Sequence, residues 1–317
     1  MKVENMPNLQ SVLHPAGWDA TIISQFAWVL FGAGAMIFVA MMLLLFLSLR
    51  RQERPARALL WIGGGGIAFP VVVLTALLGW STWRSTELAP QSSHDALTIS
   101  VTAKMWWWEV RYRDPATGRE IVTANEIHIP AGREVYLGLN SADVIHSLWI
   151  PALAGKRDMV PGRVTGLRLR ADKPGIYRGQ CAEYCGAQHA KMALHVVAST
   201  PQEFDAWLAR QALPAAPVTS ALDSPVLQRG RTAFLEQRCQ ACHTIRGVSE
   251  ATRLGPDLTH VGSRMHIGAS TLRTHRDSLK GWIANPHAAK PGVFMPGSQD
   301  LDRETLDALA TYLEHLK

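Results

Sequence analysis

The chain has 317 residues and a mass of 34.8 kDa, with 47% hydrophobic and only 18% charged residues. Its length suggests about two domains, and this balance excludes a largely disordered chain. The net charge of +6 is no nucleic-acid footprint, because Arg50, Arg51, Arg54 and Arg57 crowd into one short segment and no basic stripe interleaves with aromatics.

Residues 20–49 and 58–83 carry no charge, and each run exceeds the ~20 apolar residues that a spanning helix needs. Two membrane helices, about 22–49 and 58–83, are expected, forming a hairpin within an N-terminal unit 1–84. The first run is too long for the core of a signal peptide, about 7–15 residues. The arginine-rich link RRQERPAR stays cytoplasmic under the positive-inside rule, so both termini lie outside. Pro70 and the run Gly63 to Gly66 are tolerated in a spanning helix packed on neighbours, which points to a larger membrane partner.

From about Ala96 to Ser199 short β-like runs follow one another: LTISVTAKMWWWEV, EIHIP, REVYLGLN, VTGLRLRA, IYRGQ and MALHVVAS. Gly118, Pro130 with Gly132, Pro161 with Gly162 and Pro174 with Gly175 separate them at the spacing of a sandwich or barrel, giving an all-β unit over 85–210. QALPAAPVTSA then loses periodicity and charge, and 211–223 reads as a Pro/Ala linker. A small α domain follows over 224–317: one helix before a cysteine motif, another over Ser270 to Asn285 ending at Pro286, and a last one in which Leu306, Leu309, Leu313 and Leu316 recur behind Asp302 as N-cap. So small a domain is short of core unless something large fills it.

The four cysteines form two pairs. Cys239 and Cys242 stand in CQACH, the pattern in which two thiols form thioethers to haem vinyl groups and His243 ligates the iron. The sixth ligand must be a thioether or a second imidazole. Met295, in the loop KPGVFMPG, is the expected ligand, with Met265, His260, His266, His275 and His287 as alternatives. The domain resembles the class I cytochromes c through Gly230 and Phe234 on its first helix, CQACH, LGPDL, the MPG loop and Tyr312 on the closing helix. That resemblance implies that the first and last helices cross and that the Pro256 carbonyl accepts the second ring N–H of His243.

The other pair stands in CAEYCGAQHAKM, with His146 in DVIHSLWIP further upstream. Two thiolates, two imidazoles and a thioether are a soft donor set suited to copper. A blue copper site uses a single cysteine; a second allows two ions bridged by two sulfurs, while a disulfide would leave the histidines and methionine unexplained.

Together these motifs resemble subunit II of the haem-copper cytochrome c oxidases, carrying a fused cytochrome c domain, over nearly the whole chain. The resemblance implies a cupredoxin-like Greek-key barrel and a dinuclear copper centre, CuA, held by His146, Cys181, Cys185, His189, Met192 and the Glu183 carbonyl. It implies a Mg²⁺ bound by the Glu183 side chain at the contact with subunit I. It also implies an exposed indole on the first, tryptophan-rich strand where electrons arrive, best matched by Trp106, although an attached cytochrome can dock elsewhere. The tryptophans 106–108 otherwise read as an aromatic belt at the membrane surface.

The function expected from this resemblance is an electron-transfer subunit of a terminal oxidase in the bacterial plasma membrane. An external donor, such as a cytochrome c or a quinol–cytochrome c reductase, would supply haem c, then CuA, then haem in subunit I. Oxygen reduction to water and proton pumping would belong to the assembly, which includes subunit I and subunit III. PARALLWI holds no acid at the start of the second helix, where many relatives carry one for proton uptake. A nitric oxide reductase small subunit and a membrane-anchored copper carrier are the rival readings.

Overall fold

The computed structural model describes residues 8–50, 57–88, 97–216, 218, 224–250 and 254–317. Helix α1 (Trp18–Arg50) and a second span from Leu60 to Leu88, which contains α2 (Phe69–Ser85), are both long and apolar enough to cross a membrane. They pair near the end beside the β unit, where Phe26 meets Trp80 edge-on and Arg84 Nη2 donates to Gln25 Oε1 at 2.6 Å. The four glycines lie in a π-wound stretch, Leu60–Ala68, that runs directly into α2, and Pro70 stands just past that junction. α1 begins earlier than the expected residue 22 because Asp19 is not a solvated boundary charge: it sits in the first turn and accepts from Arg168 Nη2 at 2.6 Å. The same nitrogen donates to the Glu87 carbonyl at 2.7 Å, so one barrel arginine joins both helix ends. Most of the connecting arginine segment, 51–56, lies outside the described residues.

The β unit is two facing sheets. Strand β1 (Asn8–Leu9) lies beside β10; β2 (Leu97–Lys104), β3 (Trp107–Arg113) and β4 (Glu120–Ala124) form a meander; β5 (Glu126–Pro130) and β6 (Val135–Ser141) follow. Then come β7 (His146–Trp149), β8 (Arg157–Met159), β9 (Thr165–Leu169), β10 (Gly175–Cys181) and β11 (Ala193–Ser199). One sheet runs β4-β3-β2-β6-β9 and the other β5-β11-β10-β7-β8. Alternation builds the core: Val135, Leu137 and Leu139 of β6 point inward with Ile99 and Val101 of its parallel neighbour β2. β11 breaks the alternation and is buried on both faces, since Leu194 and Val196 enter the core while the His195 ring stacks on His266 of the α domain, centroids 4.7 Å apart.

Two expectations change here. The tryptophan run is not one strand: the chain turns at Met105 and Trp106 between β2 and β3, leaving only Trp107 and Trp108 on a strand. The segment expected as linker from residue 211 starts inside a helix, α3 (Pro201–Ala212), set by a capping box between Thr200 and Glu203. From the last turn of α3 onward the chain is stapled to the α domain. Arg246 Nη2 and Nη1 donate to the Gln211 and Ala212 carbonyls at 2.6 and 3.2 Å, and His260 Nε2 lies 3.0 Å from the Leu213 carbonyl. Residues 217 and 219–223 of the expected linker lie outside the described residues.

The α domain contains α4 (Pro225–Glu236), a two-stranded pair β12 (His266–Ile267) and β13 (Leu272–Arg273), α5 (Arg276–Ala284), α6 (Pro286–Ala289) and α7 (Arg303–His315). α5 begins at Arg276 rather than Ser270, because residues 266–273 form the strand pair and His275 Nδ1 caps the helix by accepting from Ser278 N. α4 and α7 cross at Gly230, where a Cβ would lie 2.2 Å from the Ala308 carbonyl oxygen. Phe234, Leu309, Tyr312 and Leu313 fill the crossing.

Candidate metal centre and haem pocket

The end of β10 supplies Cys181, the start of β7 supplies His146, and the loop between β10 and β11 supplies Glu183, Cys185, His189 and Met192. β7 pairs with β10 through Leu148 and Cys181, which brings the distant histidine to the cysteine loop. The two sulfurs lie 3.8 Å apart, far beyond the ~2.05 Å of a disulfide, and both are free thiols. His146 Nδ1 is 3.8 Å from Cys181 Sγ, His189 Nδ1 is 3.6 Å from Cys185 Sγ, and Met192 Sδ is 3.8 Å from Cys185 Sγ. The Glu183 carbonyl oxygen is 3.1 Å from Cys181 Sγ. All six expected donors are therefore linked in one cluster around the two buried cysteines, with His189 half-buried at its edge.

The electrostatics of this cluster favour a bound cation. The Cys185 thiol beside it, and then His146, hold Cys181 well below the ordinary thiol range, while the ionised Cys181 beside it and burial push Cys185 up. Two thiolates this close resist ionising together, a conflict that metal charge between them removes. Burial disfavours a charged His146, yet the Cys181 sulfur and the Asp143 carboxylate outweigh it and raise its pKa. Asp143 Oδ1 lies 2.7 Å from His146 Nε2, which fixes the ring with Nδ1 toward the sulfurs. Sequence reasoning passed over Asp143; its place three residues before His146 in a turn is the one local signal. The Glu183 carboxylate is half exposed, 3.8 Å from Lys156 Nζ.

Between the α domain and the β unit lies a cavity of about 690 Å³ lined by Cys239, Cys242, His243 and Met295, with Leu258, Leu279, Ile283 and Leu309 among its apolar walls and Met105, Trp106 and Asp143 on the β side. A well-packed core has no gap of this size, and the volume is that of a ligand pocket. The Pro256 carbonyl can only accept, so His243 Nδ1, 2.8 Å away, carries its proton there and leaves Nε2 free to ligate. Burial holds His243 below the usual histidine range, which keeps it neutral. Gly255 makes room for this ring: a Cβ there would lie 2.5 Å from His243 Cε1. Paired thiols, a neutral imidazole and a thioether around an apolar cavity fit haem.

The alternatives to Met295 lie elsewhere or are engaged. Met265 does not line the cavity, and its N–H donates to Glu126 Oε1 at 2.6 Å. His260 faces the stapled chain, His275 caps α5, and His287 Nδ1 accepts from Gly292 N at 3.2 Å. His266 reaches the cavity wall but stacks on His195.

Trp106 is not an exposed indole. It is 8% exposed because the α domain covers it: the Phe294 ring stacks on it, centroids 5.5 Å apart, and its Nε1 donates to the Cys185 carbonyl at 2.8 Å. Its indole thus spans from the metal cluster to the residue beside Met295. Lys290, invisible as a site residue in the sequence, is buried in the same seam, and burial lowers its pKa to about 8.

The sequence profile described as cytochrome c oxidase subunit II, periplasmic domain, matches residues 109–199, and that described as cytochrome c matches residues 227–317. Cytochrome c oxidase subunit 2 of Alkalihalophilus pseudofirmus is 33% identical over 251 residues, covering 79% of this chain and 70% of that protein. Its counterpart in Bacillus subtilis is 30% identical over 262 residues, with the same two coverages, 79% and 70%. The crystal structure of the periplasmic domain of subunit II of cytochrome oxidase of Bradyrhizobium japonicum aligns with a TM-score of 0.35 at 30% identity, covering 39% of this chain and 96% of that one.

Proposed function

Because the chain belongs to the cytochrome c oxidase subunit II family and carries a cytochrome c domain, it is an electron-transfer subunit of an oxidase that partners subunit I, and we propose the route and residues by which it works. In this reading Cys239 and Cys242 would attach haem c covalently, and His243 and Met295 would ligate its iron. His146, Cys181, Cys185, His189, Met192 and the Glu183 carbonyl hold dinuclear copper. When bound, these groups would supply one-electron carriers, through which electrons from an external donor would pass by way of haem c and CuA to haem in subunit I, the place of oxygen reduction and proton movement in the assembly.

The chain's own residues orient and insulate these carriers. Asp143 and the Pro256 carbonyl fix the two imidazoles, and Gly255 admits the His243 ring. Trp108, fully buried and edge-on to His146 at 6.4 Å, keeps water from the copper side. Trp106 bridges the two sites. The Glu183 carboxylate faces outward as the candidate Mg²⁺ ligand at the subunit I contact. The arginine link is cytoplasmic and both soluble domains are periplasmic. Subunit III and a cytochrome c or quinol–cytochrome c reductase complete the partners.

The observation that carries the reading is the convergence of two free thiols, two imidazoles, a thioether and a carbonyl within 3.1–3.8 Å links. It is tested by low-temperature electron paramagnetic resonance and optical spectra of the purified full chain. A seven-line copper pattern beside low-spin haem c is expected. A four-line pattern, or none, would refute the dinuclear assignment.

A further inference from the structure

The face of the cytochrome domain that meets the copper domain is built around one short segment. The copper loop grips it from both sides: Gln188, next to His189, donates from Nε2 to the Pro291 carbonyl at 2.6 Å, and Lys191, next to Met192, donates from Nζ to the Ala289 carbonyl at 2.5 Å. Between these two carbonyls stands Lys290, 2% exposed, whose Nζ donates to the Trp106 carbonyl at 2.9 Å. Among the described residues no carboxylate pairs with it. Further along the same segment, Phe294 stacks on the Trp106 indole and Met295 enters the haem pocket.

A buried ammonium is an expensive way to hold two domains together. Its desolvation costs more than a single hydrogen bond from a charged group returns. An apolar side chain of the same length would serve stability at least as well. What it would not do is fix the Trp106 carbonyl. Trp106 sits in a turn, outside the strand ladders on either side, so that its backbone is held by few other contacts.

We propose that Lys290 is the positioning residue of the interdomain electron step, its ammonium pinning the Trp106 backbone so that the indole stays in register between Phe294 and the Cys185 carbonyl. The proposal rests on the function given above. In the step one electron leaves the haem side and one arrives at the copper side; no bond forms or breaks and no proton is required. The rate of such a step falls exponentially with the gap between donor and acceptor, so the position of the bridging ring sets it. The cytochrome domain works docked.

The test is Lys290→Met in the full chain, with Lys290→Arg beside it. Flash reduction of haem c, followed by the copper absorbance, reads the transfer rate. Lys290→Met is expected to slow transfer roughly tenfold or more, the scale of a misplaced reacting group, with haem and copper spectra unchanged and thermal stability equal or raised. Lys290→Arg, which keeps the charge and a donor, is expected to recover part of the rate. A native rate in Lys290→Met overturns the proposal. So does loss of either spectrum in that variant, which would give the lysine a role in assembly. If the unaltered chain lacks the two spectra, the proposed function fails instead.

Discussion

Gly230→Ala tests the cytochrome fold where two opposing effects can be weighed. Within α4 the change favours the helix by about 1 kcal/mol, since alanine loses less backbone entropy than glycine. Against that, the new Cβ would stand 2.2 Å from the Ala308 oxygen, 2.6 Å from Tyr312 Cβ and 2.8 Å from the Ala308 carbonyl carbon, where ordinary contact begins at 3.4 Å. Two of these three atoms are backbone and cannot rotate away, so α4 and α7 must part by roughly 1 Å. Overpacking costs about 1–3 kcal/mol and sometimes more, and parting the helices also loosens Phe234, Leu309, Tyr312 and Leu313. A net loss of about 1–2 kcal/mol follows, a fall of roughly 5–10 °C in the midpoint of a domain this size. The assay is thermal unfolding of the full chain followed by helical circular dichroism and haem absorbance. Gly281→Ala in α5, where a Cβ meets nothing within 4 Å, serves as control and is expected to be neutral or stabilising. A Gly230→Ala midpoint at or above that of the unaltered chain would refute the crossing geometry.

Met295→Ala is expected to remove the sulfur-to-iron absorption band and lower the haem potential, because methionine ligation raises it; the same changes in Met265→Ala instead would overturn the ligand choice. Cys185→Ser is expected to abolish the mixed-valence copper signal while leaving haem absorption, and an intact copper spectrum in that variant would count against the bridging role. The domain seam is expected to weaken in acid. Burial, and then the charge of His266, hold His195 near 4, below the free value of 6.5, so the docked state keeps it neutral; its contribution is complete above about pH 6.5 and falls as pH drops toward 4. By pH 5 the loss is about 2 kcal/mol. Glu126 opposes this shift, while Arg178 adds to it. Limited proteolysis of the full chain at pH 7.5 and 5 reads the opening, and equal cleavage at both would refute it.

The chemistry-bearing residues were legible because soft ligands declare themselves by type and spacing: CAEYCGAQHAKM and CQACH are short, and their members fall together in space. The backbone between them was less so. LTISVTAKMWWWEV contains no glycine, proline or asparagine to mark the turn at Trp106. Ala269 and Ser270 adopt positive φ without being glycine, which hid the strand pair ahead of α5. α3 was readable from Thr200, Pro201 and Glu203, a capping box with proline in the first turn. Lys290 and the seam between domains have no local pattern at all, since each depends on groups distant in the chain meeting across a fold.

The stapling of residues 211–213 to Arg246 and His260 bears on reaction order. A free tether would leave the second domain at an effective concentration set by its length, rising and falling as the chain wanders. A tether whose carbonyls are already spoken for fixes the neighbour at one distance. On the proposed route, transfer across the seam is then a first-order event, indifferent to how dilute the protein is, and only the arrival of an outside donor would keep a dependence on concentration and salt.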